Sequence, residues 1–201
     1  MTTRDPWKLL ENSSPLVDQQ GVRAAFDRMA VEINGYYGNK PIIMLIVMTG
    51  AVMPAAWLAS RLKMPMEMDF VHATRYSGQT HGGEIEFRVP PRLNLEEQDV
   101  LVVDDIYDIG LTLQTIERYC AARGARTVNS AVLVRKIHDR ETTGELPRFI
   151  GLEVEDKYIF GCGMDAYEHW RHLHEIRALE EGDESWPDCR AGGWNRAHGT
   201  R

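Results

Sequence analysis

Between Val100 and Thr112 the chain reads VLVVDDIYDIGLT, an apolar run that passes straight into Asp104, Asp105 and Asp108, then Gly110 and the hydroxyl of Thr112. A short, continuous apolar run is the signature of a strand buried on both faces, as in a parallel sheet. The order therefore predicts a strand that ends in acidic residues and turns through Gly110 into a helix opening near Leu111. Open α/β sheets bind ligands beyond the carboxyl ends of their strands. A glycine turn permits a tight backbone, and a helix start offers free N–H groups and a positive dipole end to an anion. Asp104 and Asp105 are then free to hold hydroxyl groups, so the segment predicts a site for a phosphorylated sugar.

The rest of the chain supplies the sheet that this strand needs. Val22, Ala25, Phe26, Met29, Ala30 and Ile33 keep the i, i+3, i+4, i+7 spacing of an amphipathic helix. Ile42–Met48 reads as a buried strand, followed by the turn Thr49-Gly50 and a helix over 54–62. Strands are expected at 66–73 and 84–89, joined by the glycine-rich segment 74–83, which is expected to be a mobile loop. The helix after Gly110 should stop at Gly124, with further strands at 127–134 and 149–154. Alternating strands and helices predict an α/β fold with a mostly parallel sheet flanked by helices. Residues 1–179 are expected to form one domain and residues 180–201 an irregular tail, since the tail mixes charge, glycine and tryptophan without periodicity.

With 201 residues, 43% of them hydrophobic, the chain suffices for one well-buried domain. Its net charge of −7 argues against the broad basic face of a nucleic-acid binder. The cysteines at 120, 162 and 189 are an odd set without a C-x-x-C pair, which fits a reducing cytoplasm better than a disulfide framework. The longest apolar run falls far short of the roughly 20 residues that span a bilayer, so no membrane partner is expected. His169, His172 and His174 are expected on a terminal helix, as surface residues and not as a metal site.

The Val100–Thr112 pattern resembles the phosphoribosyl pyrophosphate signature of the type I phosphoribosyltransferases, and the likeness extends over Val22–Leu179. It implies that fold, with a small hood built from the chain ends. It also implies a magnesium-dependent (Mg2+) transfer of phosphoribose from phosphoribosyl pyrophosphate to a base. Asp104 and Asp105 would hold the ribose hydroxyls, and Asp108 would be the catalytic residue that manages the proton of the base. Ile109, Gly110, Leu111 and Thr112 would surround the 5-phosphate, Ile109 standing where the family has a small hydroxyl residue. Thr49 and Gly50, with a non-proline cis bond between Met48 and Thr49, would face the pyrophosphate. Arg75 and Tyr76 match the family's closing loop, usually Ser-Tyr.

Lys157, Tyr158 and Ile159, followed by Asp165 and Arg171, resemble the purine end of the hypoxanthine-guanine branch. Tyr158 would stack on the purine and Ile159 read its edge through the backbone. Asp165, with Asp104 and Asp105, would take part in binding metal, and Arg171 would meet the pyrophosphate. Lys136 resembles the lysine that donates to the exocyclic oxygen of a 6-oxopurine, a donor that selects against adenine. The resemblance thus implies a cytoplasmic purine-salvage enzyme, a homo-oligomer of two or four copies, acting on hypoxanthine or guanine. Xanthine is a further candidate base. The rival reading is a non-catalytic, ligand-sensing homologue, motivated by Ile109.

Overall fold

The computed structural model describes residues 5–75 and 85–179. Its centre is a six-stranded sheet of β2 (Ile42–Val47), β3 (Met66–Arg75), β4 (Ile85–Val89), β5 (Asp99–Tyr107), β6 (Thr127–Ile137) and β7 (Phe149–Glu155). The order is β4-β3-β2-β5-β6-β7, and only the edge strand β4 runs antiparallel. The alternation of apolar strands with helices therefore produces the expected parallel sheet. β5 is central and buried along nearly its whole length, which explains why its sequence is continuously apolar and not alternating.

Helix α2 (Gln19–Tyr37) buries the predicted stripe, extended by one more turn to Tyr37. Asp18 caps it, its side chain accepting from Gly21 N at 2.7 Å. α2 packs on β7 and on α3 (Val52–Ala59), α3 also packs on β2 and β5, and α4 (Leu111–Ala122) packs on β5 and β6. One continuous core results, with Phe26, Met29, Leu45, Leu58, Leu101, Ile116 and Leu133 fully buried. Among the described residues no helix is long and apolar enough to cross a membrane.

The hood is a second, three-stranded sheet of β1 (Ser13–Val17), β9 (Ile176–Leu179) and β8 (Ile159–Phe160), all antiparallel. Helix α1 (Pro6–Glu11) leads into it, and Leu9, Phe160 and Ala166 form a small core separate from the main one. α1, β1, β8 and β9 were not expected from the sequence, because none is long enough to show a period. The terminal helix expected to carry His169, His172 and His174 is absent. Residues 166–175 form turns instead, with left-handed φ values at Tyr167, Glu168 and Trp170. The expected loop over 74–83 overlaps β3 at Thr74 and Arg75, its remainder lies outside the described residues, as does Glu84, and the expected tail over 180–201 does too.

Candidate active site

The sheet topology carries the aspartates to one place. Asp104 and Asp105 lie within β5 itself, three and two residues before its end, and both are buried. The Asp105 N–H donates to Asp104 Oδ1 at 2.9 Å. Burial and the neighbouring charge of Asp105 together lift the Asp104 carboxyl well above the usual carboxylate range. Burial also raises Asp105, with Arg171 acting in the opposite sense. Two buried adjacent carboxylates with only Arg171 acting against their charge among the described residues form a site that favours a cation or a row of hydroxyl donors.

Asp108 follows β5, Gly110 adopts φ +83° as the N-cap of α4, and no side chain caps this helix start. Its first amides are thus left without a side-chain acceptor, as an anion cradle requires. Leu111 and Thr112 form the first helical turn. The carbonyl of Ile109 accepts from the N–H and the hydroxyl of Thr143 at 2.7 and 3.0 Å. The turn that links β6 to β7 is therefore laced to the phosphate loop, a long-range contact that no local pattern encodes.

The Met48–Thr49 peptide bond is cis, as the resemblance implied. Thr49 is exposed, while a Cβ on Gly50 would lie 2.2 Å from Asp105 Oδ2. Opposite stands Gly163, at φ +109°, where a Cβ would lie 2.2 Å from Gly50 O. The β2–α3 turn and the segment after β8 thus meet over Asp105 at two residues without side chains, and only glycine permits that approach. Arg171 donates to Gly163 O at 2.9 Å and pairs with Asp165 Oδ1 at 2.7 Å. Arg171, expected as a pyrophosphate contact, sits beside this junction.

At the base end, β6 runs on to Ile137, so Lys136 is a strand residue and not a residue beyond the strand. Its side chain is 3% exposed and its Nζ lies 3.4 Å from Asp156 Oδ1. Asp156 also pairs with Arg140 at 3.0 Å, and Arg140 with Asp108 Oδ1 at 2.8 Å. Asp108 is joined to the base end through this chain of charges. The Tyr158 hydroxyl donates to Asp165 O at 2.8 Å, its ring packs against the hood core, and Ile159 is buried. Lys157 turns the other way, paired with Glu155 at 3.0 Å and exposed, and is not brought into the site. Arg75 ends β3, and Tyr76 lies outside the described residues.

Asp165 has both oxygens engaged, Oδ1 by Arg171 and Oδ2 by the Glu168 N–H at 2.8 Å. Among the described residues no three His, Cys, Asp or Glu side chains converge to hold an ion, so Asp104, Asp105 and Asp165 are not by themselves a metal cage. His138, Arg140, Thr143, Asp156 and Gly163 are the site residues that sequence reasoning missed.

Comparison with known proteins agrees with this geometry. Residues 12–168 match the phosphoribosyl transferase domain. A hypoxanthine-guanine-xanthine phosphoribosyltransferase of Tritrichomonas foetus is 29% identical over 166 residues, covering 83% of this chain and 91% of that protein. The hypoxanthine-guanine phosphoribosyltransferase of Staphylococcus epidermidis is 26% identical over 166 residues, covering 82% and 92%. The crystal structure of a hypoxanthine phosphoribosyltransferase from Staphylococcus aureus superposes with a TM-score of 0.80 at 21% identity, covering 90% of this chain and 96% of that one. With more than half of its length matched by the family model and the same fold, the chain belongs to the phosphoribosyl transferase domain family.

Proposed function

We propose that this chain is a cytosolic purine-salvage enzyme that transfers phosphoribose from phosphoribosyl pyrophosphate to hypoxanthine or guanine. The bond from the anomeric carbon to the pyrophosphate oxygen breaks, a bond from a purine ring nitrogen forms, and the nucleotide and pyrophosphate are released. The observation that carries the choice of base is Lys136, a buried ammonium at the end of β6 within reach of the same acidic network as Asp108. An exocyclic oxygen accepts from such a donor, whereas the amino group of adenine would face it donor to donor.

In this reading Asp104 and Asp105 hold the ribose hydroxyls, and the amides that open α4 hold the 5-phosphate. The cis turn at Thr49 and Gly50, with Arg171, receives the pyrophosphate. The sugar becomes cation-like as the leaving group departs, and nearby carboxylates stabilise that charge. Asp108 takes the proton that the purine sheds. Buried Asp104 and Asp105 suit a hard cation, and Mg2+ characteristically uses one or two carboxylates and completes its shell with substrate oxygens. Bound there, Mg2+ would neutralise the charge that develops on the pyrophosphate. The two described cysteines are buried and free, in keeping with a reducing compartment.

A non-catalytic sensor finds no support among the relatives above, each of which is named as a transferase. The decisive experiment measures pyrophosphate release with hypoxanthine, guanine, xanthine and adenine against a base-free control. Release with the oxopurines and none above background with adenine is the expected result. Equal rates with adenine and hypoxanthine would remove Lys136 from the site, and no base-dependent release would overturn the reading.

A further inference from the structure

The carboxylate of Asp108 is held unequally. Its Oδ1 receives His138 Nε2 at 3.0 Å and Arg140 Nη2 at 2.8 Å, while among the described residues Oδ2 meets only Arg140 Nη1 at 3.5 Å. His138 is almost wholly enclosed, its side chain 4% exposed. Its Nδ1 accepts the backbone N–H of Arg140 at 3.2 Å, which leaves the proton on Nε2. That Nε2–H is shared between Asp108 Oδ1 and the Asp108 carbonyl, 3.3 Å away. One imidazole thus fixes both the backbone and the side chain of Asp108, and the Thr143 bonds to Ile109 O hold the next peptide.

We propose that His138 is a positioning residue for the transfer reaction: by occupying Oδ1 in a single tautomer it presents Oδ2 of Asp108 to the proton of the incoming purine. The inference rests on the reading of Asp108 as the proton acceptor and adds the group that aims it. The logic is that of a catalytic base held in orientation by a third residue through a tautomer-selective bond. Arg140 secures the same oxygen from the exposed side and ties it to Asp156, beside Lys136, so the donor and acceptor for the base are aligned by one turn.

The test is a double-mutant cycle on the full chain, with pyrophosphate release as the rate and a thermal melt as the control for folding. Asp108→Asn should lower kcat by about 10²-fold or more. His138→Ala should lower kcat by about 10-fold while KM for phosphoribosyl pyrophosphate stays within about 2-fold. His138→Gln, whose amide nitrogen restores a donor at the Nε2 position, should recover kcat to within about 3-fold of the parent. In the Asp108→Asn background, His138→Ala should cost less than about 2-fold more, because the proton acceptor that His138 aims is already gone. Losses that multiply in the double variant would overturn the proposal, as would an unchanged kcat in His138→Ala where Asp108→Asn is impaired. Should the Ala variant melt early, His138→Asn, which lacks a donor at the Nε2 position, takes its place in the cycle. Full activity in Asp108→Asn would instead sink the role of Asp108, and the proposal with it.

Discussion

Residues 104–112 lie consecutively on one strand, one turn and the first turn of one helix, whereas residues 157–179 are held by contacts that reach back to residues 6–17. In the first region the chemistry is placed by local rules: an apolar strand, a glycine with positive φ and an uncapped helix start. In the second, Trp170 Nε1 donates to Pro6 O at 2.9 Å, and Arg177 donates to Ser13 Oγ and O at 2.8 and 2.7 Å. The rings of Trp7 and Trp170 meet edge to face with centroids 5.1 Å apart. The two regions touch through Gly50 and Gly163 above Asp105. A site of this kind has a rigid half in the core of the sheet and an attached half whose position is set elsewhere.

The junction between the halves should be the most sensitive point. Gly163→Ala places a Cβ against Gly50 O in a left-handed conformation, and the segment must shift away from Asp105. A displacement of about 1 Å at a site can cost about 10²-fold in rate, so kcat/KM for phosphoribosyl pyrophosphate should fall by at least that factor. Near-parental rates would show that the two halves are not mechanically joined here.

Asp104→Asn tests the core half, with opposite signs for function and stability. Because burial and Asp105 raise the Asp104 carboxyl, the folded state binds its proton more tightly than the unfolded chain does. Stability of the ligand-free protein therefore declines as pH rises from about 4 through that raised value. The neutral isostere removes this penalty, and at pH 7 the melting temperature should rise by about 2–4 °C, the equivalent of about 1 kcal/mol in a domain of this size. Donor binding should weaken about 10- to 100-fold, as loss of a charged hydrogen bond implies. Calorimetry reads the first and kinetics the second, and a lowered melting temperature would refute the assigned cause.

Smaller effects separate the halves further. Trp170→Phe keeps the ring and loses the bond to Pro6, which should cost about 1 kcal/mol in a urea melt. It should raise KM for the base more than KM for phosphoribosyl pyrophosphate, and an equal rise in both would count against a separable base end. Ile109→Thr should tighten nucleotide binding by about 0.5–1.5 kcal/mol, the net worth of one hydrogen bond, as read by titration calorimetry. Weaker binding would mean that the loop held by Thr143 has adapted to isoleucine.

The same contrast explains what could be read from the sequence. β5, the glycine turn and α4 were legible because strand, turn and helix start are each encoded by neighbouring residues, and α2 because its stripe of seven buried residues is periodic. Asp165 and Arg171 were legible by resemblance, yet their mutual ion pair was not, and neither was the turn that replaces the expected helix over 166–175. β8 has two residues and β9 four, too few to carry a period; they pair with each other, and β9 also with β1 from far along the chain. Lys157 was placed by resemblance beside Tyr158, and its ion pair with Glu155 and the turn closed by its N–H on Glu155 O were not legible.

The pairing of Ser13 with Leu179 has a consequence in time. During synthesis from the amino end, β2, β5 and α4 have all been made once β6 emerges, and with them the strand, turn and helix start of the site. Strand β1 must wait unpaired until residues 176–179 have been made, since β9 is its only neighbour in the hood sheet. Closing a loop of that length is among the slower events in folding a domain. The nascent chain therefore carries the strand-turn-helix half of the site before the hood half can close on it.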